Sequence, residues 1–192
     1  MRIEVICTGD EVLTGKIVNT NFSYITQKLE DCGLAVEWET TVGDDRDNLL
    51  LAFQLAGSRA DAVIVNGGLG PTVDDLSQEV AAQAAGVELV LHEEWLVQME
   101  EFFRRRSRIM PPNNRKQAML PAGAELIPNP IGTAPGLLCA VGAGQVVYAV
   151  PGVPYEMQLM VTEHVIPDLL RRSGEASAIV SRSLKTWGTS ES

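Results

Sequence analysis

Cysteine, histidine and basic residues are all scarce in this chain, and each scarcity closes off a class of function. Cys7, Cys32 and Cys139 lie far apart, with no CxxC pair and no histidine pair nearby, so neither a disulfide framework nor a zinc site is expected. Each reads as a small buried hydrophobe in a reducing compartment. His92 and His164 are the only histidines, without the partner pattern of a Ser/His/Asp triad. Fifteen Lys and Arg stand against 25 Asp and Glu, for a formal charge of −10, which opposes binding to a nucleic-acid backbone or an anionic membrane surface. No apolar run approaches the roughly 20 residues of a membrane span, and MRIEVICTGDEV has one basic residue and early acid, unlike a signal peptide. A cytoplasmic protein with no nucleic-acid or membrane partner is expected.

What is present reads as one α/β domain, since 45% of the residues are hydrophobic and 21% charged. Ile3 to Cys7 is a short apolar strand, followed by the turn-rich TGDEVLTGKIVNTN. A helix then starts at Thr20 or Asn21. Phe22, Ile25, Leu29 and Cys32 form its apolar stripe, and Gly33 marks its stop. Leu34 to Val42 reads as a strand, Asp47 to Ala56 as a largely buried helix, Ala62 to Val65 as a strand covered on both faces, and Leu76 to Ala85 and Glu93 to Arg106 as helices. Asn113 to Ala118 is at most a turn of helix. Three short β patterns follow, at Glu125 to Ile127, Gly136 to Val141 and Gln145 to Val150, and then one amphipathic helix from Tyr155 to Arg172, lined by Met157, Met160, Val161 and Val165.

Such alternation predicts a three-layer α/β sandwich with a mostly parallel central sheet, whose ligand sits beyond the C-terminal ends of the strands. That places TGDEVLTGKIVNTN, VGDDRDN and NGGLGPTVDD on one rim. The domain is expected to span 1–172. The tail 173–192, containing SAIVSRSLKTWGTSES, starts like another strand and suggests the opening of a following domain in a longer protein.

NGGLGPTVDD carries the chemistry. Gly67, Gly68 and Gly70 remove side chains where backbone N–H groups would approach a phosphate, and the helix start behind them would add donors and a positive dipole end. A plain strand-to-helix turn, with Asp74 or Asp75 as N-cap, would need fewer glycines and one carboxylate. The loop is neither a dinucleotide fingerprint nor a Walker sequence. Acid beside a phosphate cradle is reconciled by a divalent cation such as Mg²⁺, with Asp74 or Asp75, Asp10, Glu11 and Asp44 as its candidate ligands. Arg104, Arg105 and Arg106 complement the end of a helix that opens with Glu93 and Glu94. Lys116, in NNRKQA, is the better phosphate contact.

TGDEVLTGKIVNTN, TVGDDRDNL, GGLGPTVDDLS, NNRKQAMLP, NPIGTAPG and PGVPYEM together resemble the N-terminal domain of the CinA (competence/damage-inducible) family, with Ser77 where that pattern usually has threonine. The resemblance implies a molybdopterin-binding, MogA/MoaB-like fold and metal-dependent hydrolysis of ADP-ribose to AMP and ribose 5-phosphate. Related proteins bind molybdopterin or transfer an adenylyl group, and a third possibility is a non-catalytic nucleotide-sensing module. By position, Asp44 and Asp75 match aspartates needed by the related adenylyltransferases, and Gly67, Gly68, Gly70 and Thr72 match the phosphate loop. Asn19 stands where some relatives carry a metal-binding aspartate. Gly132 and Thr133 of GTAPG, with Pro151, Gly152 and Pro154 of PGVP, match further pocket wall. The deamidase activity of longer members is not implied for these residues. Because domains of this fold commonly self-associate, a homo-oligomer, dimer or trimer, is expected.

Overall fold

Apolar runs rich in Val and Ile become strands where the sequence predicts them. In the computed structural model, which describes residues 1–142 and 144–174, these are β1 (Ile3–Thr8), β2 (Val36–Val42), β3 (Ala62–Asn66), β4 (Leu89–Leu91), β5 (Met119–Pro121), β6 (Glu125–Ile127), β7 (Gly136–Val141) and β8 (Gln145–Val150). Six form one sheet in the order β2-β1-β3-β8-β7-β6, and β4 pairs with β5 in a separate antiparallel ribbon. Within the large sheet β1 lies parallel to β2 and β3, and β3 parallel to β8. Only β7 runs the other way, antiparallel to both β6 and β8.

Strand periodicity of two divides the core into two layers. Val63 and Val65 of β3 face one cluster with Leu49 and Phe53 of α3 (Arg46–Arg59) and Val80 and Ala81 of α4 (Ser77–Ala85). Ala62 and Ile64 face the other, with Ile25 and Leu29 of α2 (Thr20–Asp31), Met157 of α6 (Pro154–Met160) and Leu169 of α7 (Ile166–Ser173). The three-layer sandwich is thus the observed fold. A smaller cluster of Trp95, Leu96, Met99 and Ala118 seats α5 (Glu93–Arg104).

Four local expectations need correction. The loop after β1 contains a one-turn helix, α1 (Asp10–Leu13). Helix α3 is one-sided rather than largely buried: it buries Leu49, Ala52, Phe53 and Ala56 but leaves Leu51 60% and Leu55 47% exposed. The ribbon β4–β5, two strands of three residues each, is absent from the sequence reading. The final helix is interrupted between α6 and α7 by a π-helical turn, Val161–Val165. Pro167 follows directly, and a proline has no N–H to continue the α-helical bonding, which a π turn accommodates. The tail segment read as strand-like lies outside the described residues.

Free Cys7 and Cys139 are buried and Cys32 half-buried; burial pushes both buried thiols up to about 11, in keeping with their reading as small hydrophobes. His92 is a satisfied histidine, its Nδ1 accepting from the Trp95 N–H at the start of α5 (3.2 Å). Glu101 pairs with Arg104 and Arg105, and Arg106 lies over the Phe102 ring, so the arginine run serves its own helix.

One charge sits inside the sheet. Glu4, in central strand β1, is 0% exposed and accepts from Arg59 Nε (2.8 Å), Arg59 Nη2 (2.7 Å) and Thr40 Oγ1 (2.7 Å). The guanidinium lies 4.9 Å from the Trp38 ring. Removing one partner of such a pair strands the other charge, so Arg59→Met should cost about 3–5 kcal/mol in urea unfolding, and adding Glu4→Leu should restore much of the loss.

Candidate functional site

Parallel pairing sends the loops after β1, β2, β3 and β8 out of one edge of the sheet, where they enclose a cavity of about 460 Å³. Thr8, Gly9 and Glu11 come from the first loop, Asp44 from the second, Gly67 to Pro71 with Asp74 and Asp75 from the third, and Pro151 to Val153 with Glu156 from the fourth. Gln117, Thr133 and Ala134 close the remaining side. Of the residues predicted from sequence, Gly67, Gly68, Gly70, Asp44, Asp74, Asp75, Glu11, Thr133, Pro151 and Gly152 therefore form the wall of this one cavity.

Others support that wall from behind. Asp10 and Asp44 exchange bonds, each backbone N–H donating to the other's carboxylate at 3.2 Å, which ties the first loop to the second. Lys116 Nζ donates to the Thr72 carbonyl (3.1 Å) and pairs with Glu79 (3.2 Å), so it fastens the glycine loop rather than facing the cavity. Thr72 donates from its N–H (2.8 Å) and hydroxyl (2.5 Å) to Asp75 Oδ2. Gly132 faces a neighbouring cavity along α5, bordered by Arg105 and Arg106, and Pro154 a smaller one of about 170 Å³ that also holds Asn19 and Asn21.

The glycine loop works differently from its sequence reading. Gly67 (φ 110°) and Gly68 (φ 68°) have left-handed backbone, and a Cβ would lie 2.5 Å from Thr8 Oγ1 at position 67, 2.4 Å from Ser77 Oγ at 68 and 2.4 Å from Asp75 Oδ2 at 70. Close packing against side chains of β1, of α4 and of the loop itself thus accounts for all three glycines. The Gly67 N–H donates to Val150 O (3.0 Å) and the Ser77 N–H to Gly68 O (3.0 Å), so neither that amide nor the first N–H of α4 is left for a ligand. Among the described residues the N–H groups of Gly68, Leu69 and Gly70 make no hydrogen bond. The N-cap of α4 is Leu76, with no side-chain cap; Asp75 turns back to Thr72, and the aspartate-cap alternative is removed.

Four contributors were missed. Gln117 Nε2 donates to Leu69 O (3.2 Å) while its Oε1 accepts from Asn114 (2.8 Å) and Thr133 (2.9 Å). The 3₁₀ helix Pro112–Ala118 puts Asn114 and Gln117 on one face, a spacing visible in NNRKQA. Asn129 Oδ1 accepts from Ile131 and Gly132 N–H (3.2 and 2.9 Å), the Asx turn that an Asn-Pro pair signals. Its Nδ2 donates to Ala134 O (2.8 Å) and Glu156 Oε2 (2.7 Å). Thr8 Oγ1, pressed beneath Gly67, is buried without a partner among the described residues. Thr8 and Glu156 lie inside TGDEVLTGKIVNTN and PGVPYEM, but nothing in either motif singles out these two side chains.

Charge at this rim is of one sign. Burial, with the carboxylates of Asp10, Glu11 and Asp74, pushes the Asp44 carboxyl above its ordinary range, against the opposing bond from the Asp10 N–H. Burial likewise raises Glu156, offset by Asn129. Among the described residues no three acidic, histidine or cysteine side chains converge enough to cage a metal ion. The donor set therefore fits a hard ion such as Mg²⁺ only together with a phosphate, the way that ion is commonly held.

The chain has known relatives. The family described as probable molybdopterin binding domain matches residues 4–171, and the chain is 47% identical to a CinA-like protein of Frankia casuarinae and 45% identical to one of Escherichia coli K12, in each case over all of this chain. The chain belongs to the CinA-like molybdopterin-binding domain family. It spans about half the length of these curated relatives, 45% and 48%. The CinA structure from Thermoplasma acidophilum superposes with a TM-score of 0.77 at 36% identity, covering 90% of this chain and 96% of that one. The MoaB structure from Thermus thermophilus gives 0.57 at 18% identity, covering 91% and 97%, a likeness of fold. Among the described residues no helix is long and apolar enough to cross a membrane.

A raised carboxyl has a consequence for stability. The unfolded chain releases the Asp44 proton at lower pH than the folded chain, so wild type loses stability as pH rises through the ordinary carboxylate range. Asp44→Asn, which can still accept from Asp10, should melt a few degrees higher at pH 7, a gain held below about 1 kcal/mol by solvent screening. The difference should vanish below about pH 3.5, where Asp is protonated in both states.

Proposed function

We propose that this domain hydrolyses the pyrophosphate bond of a nucleoside diphosphate sugar, ADP-ribose, to AMP and ribose 5-phosphate, with a divalent metal ion. One observation carries the reading: a single cavity joins the unbonded N–H groups of Gly68 to Gly70 to a set of carboxylates that includes Asp44, Asp74 and Asp75. Backbone donors receive phosphate oxygens and need no conformational change, because Asp75, Lys116 and Gln117 already fix the loop. Asp74 and Glu11, together with phosphate oxygens, would hold the ion, which would supply charge neutralisation when bound. Asp75, anchored through Oδ2 to Thr72, keeps Oδ1 to orient the attacking water. Asp44, whose proton affinity is raised, takes the water's proton. The water oxygen bonds to one phosphorus as the bridging oxygen leaves with the other phosphate.

A second reading, molybdopterin binding or adenylyl transfer, is favoured by the description of the matching family and by the likeness to MoaB. It requires a pterin, and ATP for transfer. In the third, the same cavity senses a nucleotide without turnover.

Incubating the purified chain with ADP-ribose, ATP or molybdopterin, each with and without divalent ions, separates these readings by product. Turnover of ADP-ribose should disappear on exhaustive chelation. Asp75→Asn should lower kcat by roughly 100-fold or more with little change in Tm, since asparagine can still accept from Thr72. Equal rates in wild type and Asp75→Asn would remove Asp75 from the chemistry.

A further inference from the structure

The acids of the cavity are not all at one place. Asp44 follows β2 and Glu156 follows β8. In the order β2-β1-β3-β8 those strands are three spacings apart, roughly 14 Å at the usual inter-strand distance. The glycine loop leaves from β3, between them. A pyrophosphate on that loop is much shorter than this span, so the β8 end faces whatever is attached to the phosphates.

Glu156 is equipped for one kind of neighbour. Asn129 holds its Oε2 (2.7 Å), while Oε1 accepts no hydrogen bond and pairs with no cation among the described residues. Gly132 leaves room for it, since a Cβ there would lie 2.4 Å from Oε1. Pinning the loop needs only Oε2. A carboxylate oxygen that is half-buried, without a cation and on a cavity wall repels phosphate and accepts from hydroxyl donors, as acidic side chains do at the ribose of bound nucleotides.

Resting on the pyrophosphatase reading above, we infer that Glu156 is a specificity residue that accepts from the hydroxyls of the sugar next to the pyrophosphate, making the β8 end of the cavity a sugar subsite. Asn129 is then a positioning residue, which fixes the carboxylate through one oxygen and leaves the other for substrate.

The test is equilibrium binding of two probes, ADP-ribose and inorganic pyrophosphate, by calorimetry on the whole chain, with Ca²⁺ in place of Mg²⁺ to suppress turnover. Glu156→Gln keeps an oxygen for Asn129, so the loop stays fastened. It should weaken ADP-ribose by roughly tenfold, the scale of a hydrogen bond to a charged group, and leave pyrophosphate unchanged or tighter. Asn129→Ala, which cuts the fastening and spares the carboxylate, should weaken ADP-ribose less. If Glu156→Gln binds both probes as wild type does, or weakens both equally, the sugar subsite is wrong while the hydrolytic reading stands. If wild type binds pyrophosphate but not ADP-ribose, and hydrolyses none with Mg²⁺, both readings fall.

Discussion

The direction of four strands determines everything at this rim. Because β1 pairs in parallel with β2 and β3, and β3 with β8, their loops must leave from the same edge, and residues more than 140 apart in sequence, Thr8 and Val150, end strands separated only by β3. Both faces of that edge are covered by helices, so the loops have nowhere to pack except on one another. Their contacts follow from that crowding: Gly67 against Thr8, Gly68 against Ser77, Gly70 against Asp75, and the exchanged Asp10 and Asp44 bonds. The cavity is the space that this packing leaves open.

Holding like charges together at a partly buried edge is unfavourable for folding, and the structure offsets it elsewhere. The other prominent acid of the sheet, Glu4, is neutralised by a bidentate arginine and a threonine, and Asp168, despite partial burial, is kept at about 2 by Tyr148, Arg172 and Arg171. Among the described residues Asp44 pairs with no such cation, and its proton affinity goes up instead. Glu4 and Asp168 have cationic partners, whereas Asp44 and Glu156 on the cavity wall pair with none among the described residues, a distinction that marks them as candidates for ligand, metal or proton.

Much of this was legible in the sequence, and the limits have physical reasons. Long elements with clear period, such as α2 and α5, could be placed to within a few residues, and the alternation of strand and helix implied the parallel sheet and hence the shared rim. The loops could be located but not their internal bonding. Lys116 reads as a phosphate contact because it is a cation in a loop, yet it spends its charge on Glu79 and the Thr72 carbonyl. Glu156 lies inside a recognised motif, PGVPYEM, but nothing in a single sequence says that the third residue of a helix will turn to Asn129, 27 positions earlier. The glycines were read as room for a ligand when they are first of all room for Thr8, Ser77 and Asp75.

The proposed hydrolysis requires phosphate to lie on the backbone of the glycine loop. Residue-resolved amide exchange by NMR, with and without ADP-ribose in the presence of a divalent ion that does not support turnover, addresses it directly. The N–H groups of Gly68, Leu69 and Gly70, unbonded among the described residues, should exchange rapidly in the free chain and slow at least tenfold when the nucleotide binds, a change worth about 1.4 kcal/mol or more. Saturable ADP-ribose binding that leaves those three amides unprotected, with protection along α5 instead, would contradict the account.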